Sequence, residues 1–277
     1  MVVTKRTALV YDFDGTLARG NVQEHSFIPE VGLSISDFWA EVKRRTREHN
    51  ADDVLTYMWY MLEAAKDAGV RVTREMLQEH GRKTIFFDGL DSWFNRINEF
   101  GATLGLGLEH YIVSSGNLEL IQGSAIVERF SRVYASQFIF SEDGEAVWPG
   151  LAINYTNKTQ FLFRINKGVD NNWDNEAVNR WIPMPDRPVP FERMIFFGDG
   201  DTDIPSMKMV RHQGGHSIAV FDPVDFAADR SQEKIYKLIA ADRVHFVAPA
   251  DYSAGGQLDV ITRGILSRIA EGRRSVT

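Results

Sequence analysis

Two carboxylates one residue apart, Asp12 and Asp14, follow directly on the apolar run TALVYD at residues 7–12. Extended backbone sends alternate side chains the same way, so both acids can reach a site at the strand's end while Phe13 points elsewhere. Gly15 then lets the chain turn. An Asp turn that merely closes a strand fits the same residues. A second cluster, Gly198, Asp199, Gly200, Asp201, Thr202 and Asp203, follows the run RMIFFGD at 193–199. Pro205 suits the first turn of a helix IPSMKMVRHQ, with Thr202 or Asp203 as its cap and Gly214 and Gly215 at its end. Capping uses one acid. Three acids in five positions repel one another unless a cation or hydrogen bonds compensate, so the surplus points to a metal. A hard divalent cation such as Mg²⁺ prefers oxygen ligands, and the chain has no cysteine to offer a thiolate. Its seven His are scattered, with no pair at zinc-ligand spacing.

Two further stretches carry weaker signals. The run HYIVS at 110–114 leads into Ser115, Gly116 and Asn117 and then a helical LELIQG. Hydroxyls and backbone amides at such a helix start suit a phosphate, and a simple N-cap fits equally. Lys158 lies in the first turn of another expected helix, where Asn157 and Gln160 resemble a capping box. A cation there opposes the helix dipole. That misfit marks either a solvated surface lysine or a positive group set beside a phosphate.

These residues need elements to hold them. Strand-length apolar runs at 7–12, 110–114, 193–199, 216–221 and 244–248 alternate with helical patterns, which predicts an α/β fold with a mostly parallel sheet covered on both faces. Ligands bind such sheets at the strands' carboxyl ends. Residues 17–87 break the rhythm and offer only helices. Ser36 or Asp37 is expected to open one bearing Phe38, Trp39, Val42 and Arg45; Asp52 opens another bearing Val54, Leu55, Met58, Trp59 and Leu62, stopped by Gly69. That aromatic and Met stripe reads as packing between helices. The segment SEDGEAVWPG reads as a hairpin turn about Asp143 and Gly144, and residues 169–190 as a long surface loop.

Composition bounds the answer. Among 277 residues, apolar types make 44% and charged types 25%, the values of a globular protein. With 31 basic and 38 acidic side chains the net charge is −7, and no basic block tracks a phosphate backbone, so nucleic acid is not an expected partner. The absence of cysteine excludes disulfides, cysteine nucleophiles and iron–sulfur clusters. No apolar stretch approaches the roughly 20 residues that span a bilayer, and the start MVVTKRTALVYDFDG shows no cleavable signal. No membrane association and a cytoplasmic location are the resulting expectations.

The order DFDGT, SSG, a helix-opening Lys and GDGDTD, each acidic or serine motif after a strand, resembles the four motifs of the haloacid dehalogenase superfamily of phosphohydrolases. The helical stretch after the first motif is similar to the cap of its phosphoserine phosphatase-like branch, as are FFDGLDSWFNRINEFGATLG and VYASQFIFSEDGEAVWPG. The resemblance implies a Rossmann-like parallel-sheet core, residues 1–16 and 88–277, with an inserted all-helical cap at 17–87. It implies a Mg²⁺-dependent phosphatase acting on a small phosphorylated metabolite. Asp12 would be the nucleophile that forms an aspartyl-phosphate, and Asp14 the acid and then base. Ser114 and Lys158 would hold phosphate oxygens. Asp12, the Asp14 carbonyl and Asp199 would bind Mg²⁺, with Asp203 orienting the metal shell.

Asp14 also chooses among reactions. Halide leaves without a proton whereas an alkoxide needs one, so ester cleavage is favoured over dehalogenation. A phosphotransferase or mutase on the same scaffold remains open, as does a non-catalytic phospholigand-binding protein. Phosphoserine phosphatases carry a Glu nine residues after the nucleophile; here that position is Asn21 and the nearest acid is Glu24. An amide cannot supply the charge that an ammonium group wants, which puts phosphoserine in doubt.

Overall fold

The structure is a computed structural model that describes residues 5–200, 202–228 and 231–272. Its seven strands form one sheet: β1 (Lys5–Tyr11), β2 (Leu106–Asn117), β3 (Arg132–Phe140), β4 (Ala146–Leu151), β5 (Met194–Gly198), β6 (His216–Phe221) and β7 (Phe246–Pro249). The spatial order is β4-β3-β2-β1-β5-β6-β7. Every pairing is parallel except β3 with β4. This is the expected Rossmann-like α/β core. The chain leaves β1 toward β2 and later returns on the other side at β5, so the strand order reverses between β1 and β5. Such a reversal opens a crevice at the carboxyl ends of the strands.

Alternation along β1 explains the two-sided burial. Leu9 and Tyr11 join one apolar cluster and Ala8 and Val10 the other. On the first face lie α5 (Leu90–Thr103) and α12 (Gln257–Ala270), bringing Trp93, Phe94, Leu258 and Ile265. On the second lie α7 (Lys158–Lys167), α9 (Ile204–His212) and α11 (Gln232–Ala240), with α8 (Asn175–Asn179) and α10 (Pro223–Ala227) in the connections. Under β1 runs a buried polar chain: Trp93 Nε1 donates to the Tyr11 hydroxyl (3.0 Å), which meets His110 Nδ1 (3.2 Å), while His110 Nε2 faces Asn98 Oδ1 (2.9 Å). The contacts suit a neutral imidazole, and burial pushes His110 down to about 3.

Residues 17–87 contain α1 (Phe27–Glu30), α2 (Ile35–His49), α3 (Asp53–Asp67) and α4 (Arg74–Gly81). The segment leaves and rejoins the sheet through a narrow neck, where Arg19 N donates to Ile85 O (2.8 Å) and Phe87 N to Leu17 O (3.1 Å). Ser34, not Ser36 or Asp37, caps α2: its hydroxyl accepts from Asp37 N at 3.0 Å, so the helix starts two or three residues before the expected position. Asp52 caps α3 as expected, accepting from Leu55 N. Phe38, Val42, Val54 and Met58 pack together, whereas Leu55 is exposed. Helix α4 presses on α6 (Leu118–Gly123) at a glycine crossing: a Cβ on Gly81 would meet Leu120 O at 1.9 Å, and one on Gly123 would meet Gln78 O at 1.9 Å.

The turn at Asp143 and Gly144 joins β3 to β4 as a hairpin, with Gly144 at φ +76°. Residues 169–190 are not all loop, because Asp174 caps the short α8. No helix among the described residues is long and apolar enough to cross a membrane.

Candidate active site

Strand register brings the chemistry together. Tyr11 pairs with Ile112 on one side and Phe197 on the other, so the next residues of β1, β2 and β5 emerge side by side. Asp12 N donates to Phe197 O (2.9 Å), which fixes the first carboxylate against the strand that delivers Asp199. Asp12, Asp14, Ser114 and Asp199 all line one cavity of about 900 Å³. Gly15 makes the approach possible: it adopts φ +70°, and a Cβ there would meet the Asp199 carboxylate at 2.9 Å.

Asp12 is 4% exposed. Its Oδ1 accepts from Phe13 N (2.7 Å) and its Oδ2 pairs with Lys158 Nζ (3.0 Å). Lys158 is 0% exposed and reaches Asp203 Oδ1 at 2.6 Å as well. Burial opposes its charge, but the two carboxylates outweigh that penalty and hold the ammonium above its ordinary range. The lysine also donates to Thr202 Oγ1 (3.4 Å), and both Asp12 and Thr202 line the cavity. Asp203 turns its other oxygen to Asp199 N (3.1 Å). Burial, followed by the Asp12 charge, pushes Asp203 up, and Lys158 pulls it back.

Asp14 sits in a different environment. Its Oδ1 accepts from Val22 N (2.9 Å), yet burial and the neighbouring Asp12 charge drive its pKa well up, so the protonated form is favoured. Its carbonyl accepts no hydrogen bond among the described residues. Burial also raises Asp199, against the pull of Lys234, whose Nζ lies 3.0 Å from Oδ2. Carboxylate oxygens of Asp12, Asp199 and Asp203 all lie within 4.8 Å of one another. Three oxygens so close suit a hard cation. Asp201, the third acid of the expected cluster, lies outside the described residues.

The Ser-Ser-Gly-Asn turn behaves as a helix start. Asn117 caps α6, accepting from Leu120 N (3.0 Å), and Ser114 Oγ accepts from Gly116 N (3.0 Å). Ser115 lines the cavity, and its Oγ is buried with no hydrogen-bond partner among the described residues. Tyr57 of α3 donates to Ser115 O (2.7 Å), linking the helical segment to this turn.

Two expected caps take other forms. Asp203 stands at the start of α9 but makes no side-chain cap, because Lys158 and Asp199 N claim both its oxygens. Asn157 and Gln160 form no capping box; Asn157 Oδ1 instead accepts from Asn154 N (2.7 Å). Sequence reasoning also missed Lys234, an ordinary lysine on an amphipathic helix with no local signal. The wall contributed by α2 was read as packing, whereas Trp39 and Val42 line the cavity. Only the burial and the alternation of the strand ends connect these distant residues.

A sequence model of the haloacid dehalogenase-like hydrolases matches residues 9–208, which carry Asp12, Asp14, Ser114, Lys158, Asp199 and Asp203. The chain belongs to this family. An uncharacterized protein of Borreliella burgdorferi is similar at 28% identity over 278 residues, covering 91% of this chain and 93% of its own. Among solved structures, a haloacid dehalogenase family hydrolase from Salmonella enterica serovar Typhi is similar with a TM-score of 0.59 at 15% identity, covering 95% of this chain and 71% of that one. A phosphoserine phosphatase, solved as a phospho-aspartyl intermediate analogue, is similar with a TM-score of 0.51 at 15% identity, covering 88% and 93%. At these identities the structural likeness establishes a shared haloacid dehalogenase-type fold.

Proposed function

We propose that this protein is a Mg²⁺-dependent phosphatase that hydrolyses a small phosphomonoester through an aspartyl-phosphate on Asp12, with residues 17–87 as its cap. The observation that carries the reading is the contrast between two acids on one cavity: Asp12 is held in an ion pair with Lys158, while burial favours a proton on Asp14. Environments that push two acids apart assign them different roles.

Asp12 attacks phosphorus and the ester P–O bond breaks. Asp14 delivers its proton to the departing alkoxide. The Asp14 carboxylate then takes a proton from water as that water attacks the acyl phosphate, releasing inorganic phosphate and restoring Asp12. Ser114 binds a phosphate oxygen. Lys158 holds a phosphate oxygen as well and offsets the charge of Asp12 as the anionic substrate arrives. Asp12, Asp199 and the free carbonyl of Asp14 are the ligands proposed for Mg²⁺, with Asp203 held by Lys158 as the group that orients them. The cation would supply charge neutralisation between nucleophile and phosphate.

Phosphoserine is not the substrate proposed. The Glu24 carboxylate is occupied: Asn21 N (3.1 Å), Asn21 Nδ2 (2.6 Å) and Trp39 Nε1 (2.6 Å) all donate to it. Purified protein is expected to release phosphate from p-nitrophenyl phosphate in Mg²⁺, to stop in EDTA, and to lose essentially all turnover in Asp12→Asn. Equal rates in Asp12→Asn and wild type would defeat the mechanism.

A further inference from the structure

We propose that the substrate carries a second acidic group, a carboxylate or a further phosphate, remote from the scissile ester, and that Lys43 and Arg47 of α2 receive it. The inference rests on the phosphatase reading and names the substrate class of that same cavity.

One face of α2 forms a wall of the cavity. Trp39, Val42, Lys43, Thr46 and Arg47 line it, at offsets of three, four, seven and eight residues from Trp39, the spacing of a single helical stripe. From Trp39 to Arg47 the helix advances about 12 Å. The order along the stripe is an aromatic and apolar stretch followed by two cations. The remaining arginines of this helix are neutralised: Arg44 pairs with Glu41 and Glu48, and Arg45 with Glu41 and Glu63. Among the described residues, neither Lys43 nor Arg47 has a carboxylate oxygen within 4.0 Å. The helix matches its outward arginines with acids and leaves the cavity-facing pair for a ligand.

A volume of about 900 Å³ falls high in the range of roughly 300–1,000 Å³ typical of sites that enclose drug-sized ligands. Within residues 17–87, the carboxylate that lines the cavity is Asp53. It heads α3, where the helix N-terminus favours negative charge, and its Oδ1 accepts from Val54 N (3.1 Å). Its charge is met locally.

Calorimetric binding to the intact protein in Mg²⁺ tests this with unreactive alkylphosphonates matched in length and ending in a carboxylate, a second phosphonate or a neutral hydroxyl. Acid-ended compounds are expected to bind about tenfold tighter than the hydroxyl series, since each exposed cation contributes modestly. The better of the two acidic ends identifies the group recognised. The preference is expected to fall to about one in Lys43→Gln/Arg47→Gln, to persist in Lys43→Arg/Arg47→Lys, and to keep its wild-type value in Arg44→Gln, on the paired side of the helix. Equal affinity for acidic and neutral ends, binding of none of the compounds, or a preference unchanged in Lys43→Gln/Arg47→Gln overturns the inference. Phosphate release from p-nitrophenyl phosphate without an acid preference sinks this inference alone. Acid-selective binding without phosphate release sinks the phosphatase reading alone.

Discussion

Replacing Lys158 with Met keeps the apolar stem and removes the ammonium that lies 2.6 Å from Asp203 and 3.0 Å from Asp12. At an effective dielectric of about 20, each contact is worth roughly 6 kcal/mol of gross attraction. Desolvation of three buried ions consumes most of that sum, but the substitution leaves two carboxylates facing each other without their cation. Removing one partner of a buried pair costs about 3–5 kcal/mol, and that is the destabilisation expected at pH 8 in EDTA. The pH trend follows from the same geometry. Burial and Asp12 already raise the folded-state pKa of Asp203, and loss of Lys158 raises it further. A raised carboxylate binds its proton more readily in the folded state, so the variant's deficit is smallest at low pH and grows as pH rises through that folded value. Urea unfolding followed by tryptophan fluorescence at pH 5.5 and pH 8 reads both effects. A loss below about 1 kcal/mol at pH 8, or one independent of pH, refutes the claim that Lys158 holds the two acids together.

Asp14→Asn is expected to slow cleavage of alkyl phosphates by about 10²–10⁴-fold, and that of p-nitrophenyl phosphate, whose leaving group needs little help from an acid, by much less; equal losses on both would remove Asp14 from the proton transfer. Gly123→Ala forces a methyl group to 1.9 Å from Gln78 O and is expected to cost about 1–3 kcal/mol by thermal or chemical unfolding. An unchanged midpoint would show that the crossing yields freely. His110 is held neutral by burial with a pKa of about 3, below the roughly 6.5 of the unfolded chain. The unfolded state therefore takes the proton first, and stability is lost as pH falls from about 6.5 toward 3, by about 3 kcal/mol at pH 4.5 from this residue. His110→Gln should flatten that slope by about 1.4 kcal/mol per pH unit, and an unaltered slope would refute the assignment.

The sequence disclosed what depends on local pattern. β1, β5 and β6 are continuous apolar runs because both faces of a parallel sheet are covered, and the acids stand directly after them. β3 and β4 escaped notice as strands because they form the sheet's antiparallel margin, where Arg132 and Gln137 interrupt the run and Pro149 and Gly150 sit in β4. Proline is tolerated there because an edge strand need not donate on its outer side. The misplacement of Lys158 against a helix dipole was visible, but its reason is tertiary: two carboxylates from distant strand ends. The same pairing draws Asp203 away from the cap that local rules assign it. Lys234 and the α2 stripe carry no local anomaly at all, since a lysine on an amphipathic helix reads the same beside a cavity as beside water.

The tight seat of α4 on α6 has a consequence for rebuilding the molecule. Gly81 belongs to the helical segment and Gly123 to the sheet domain, and each leaves room for the other's neighbouring backbone. A graft of residues 17–87 onto another scaffold must therefore bring a matching bare backbone at the 123 position, or α4 will clash there. The transplant is thus limited by a backbone contact close to the neck itself, since Gly81 stands just before Ile85 in the chain.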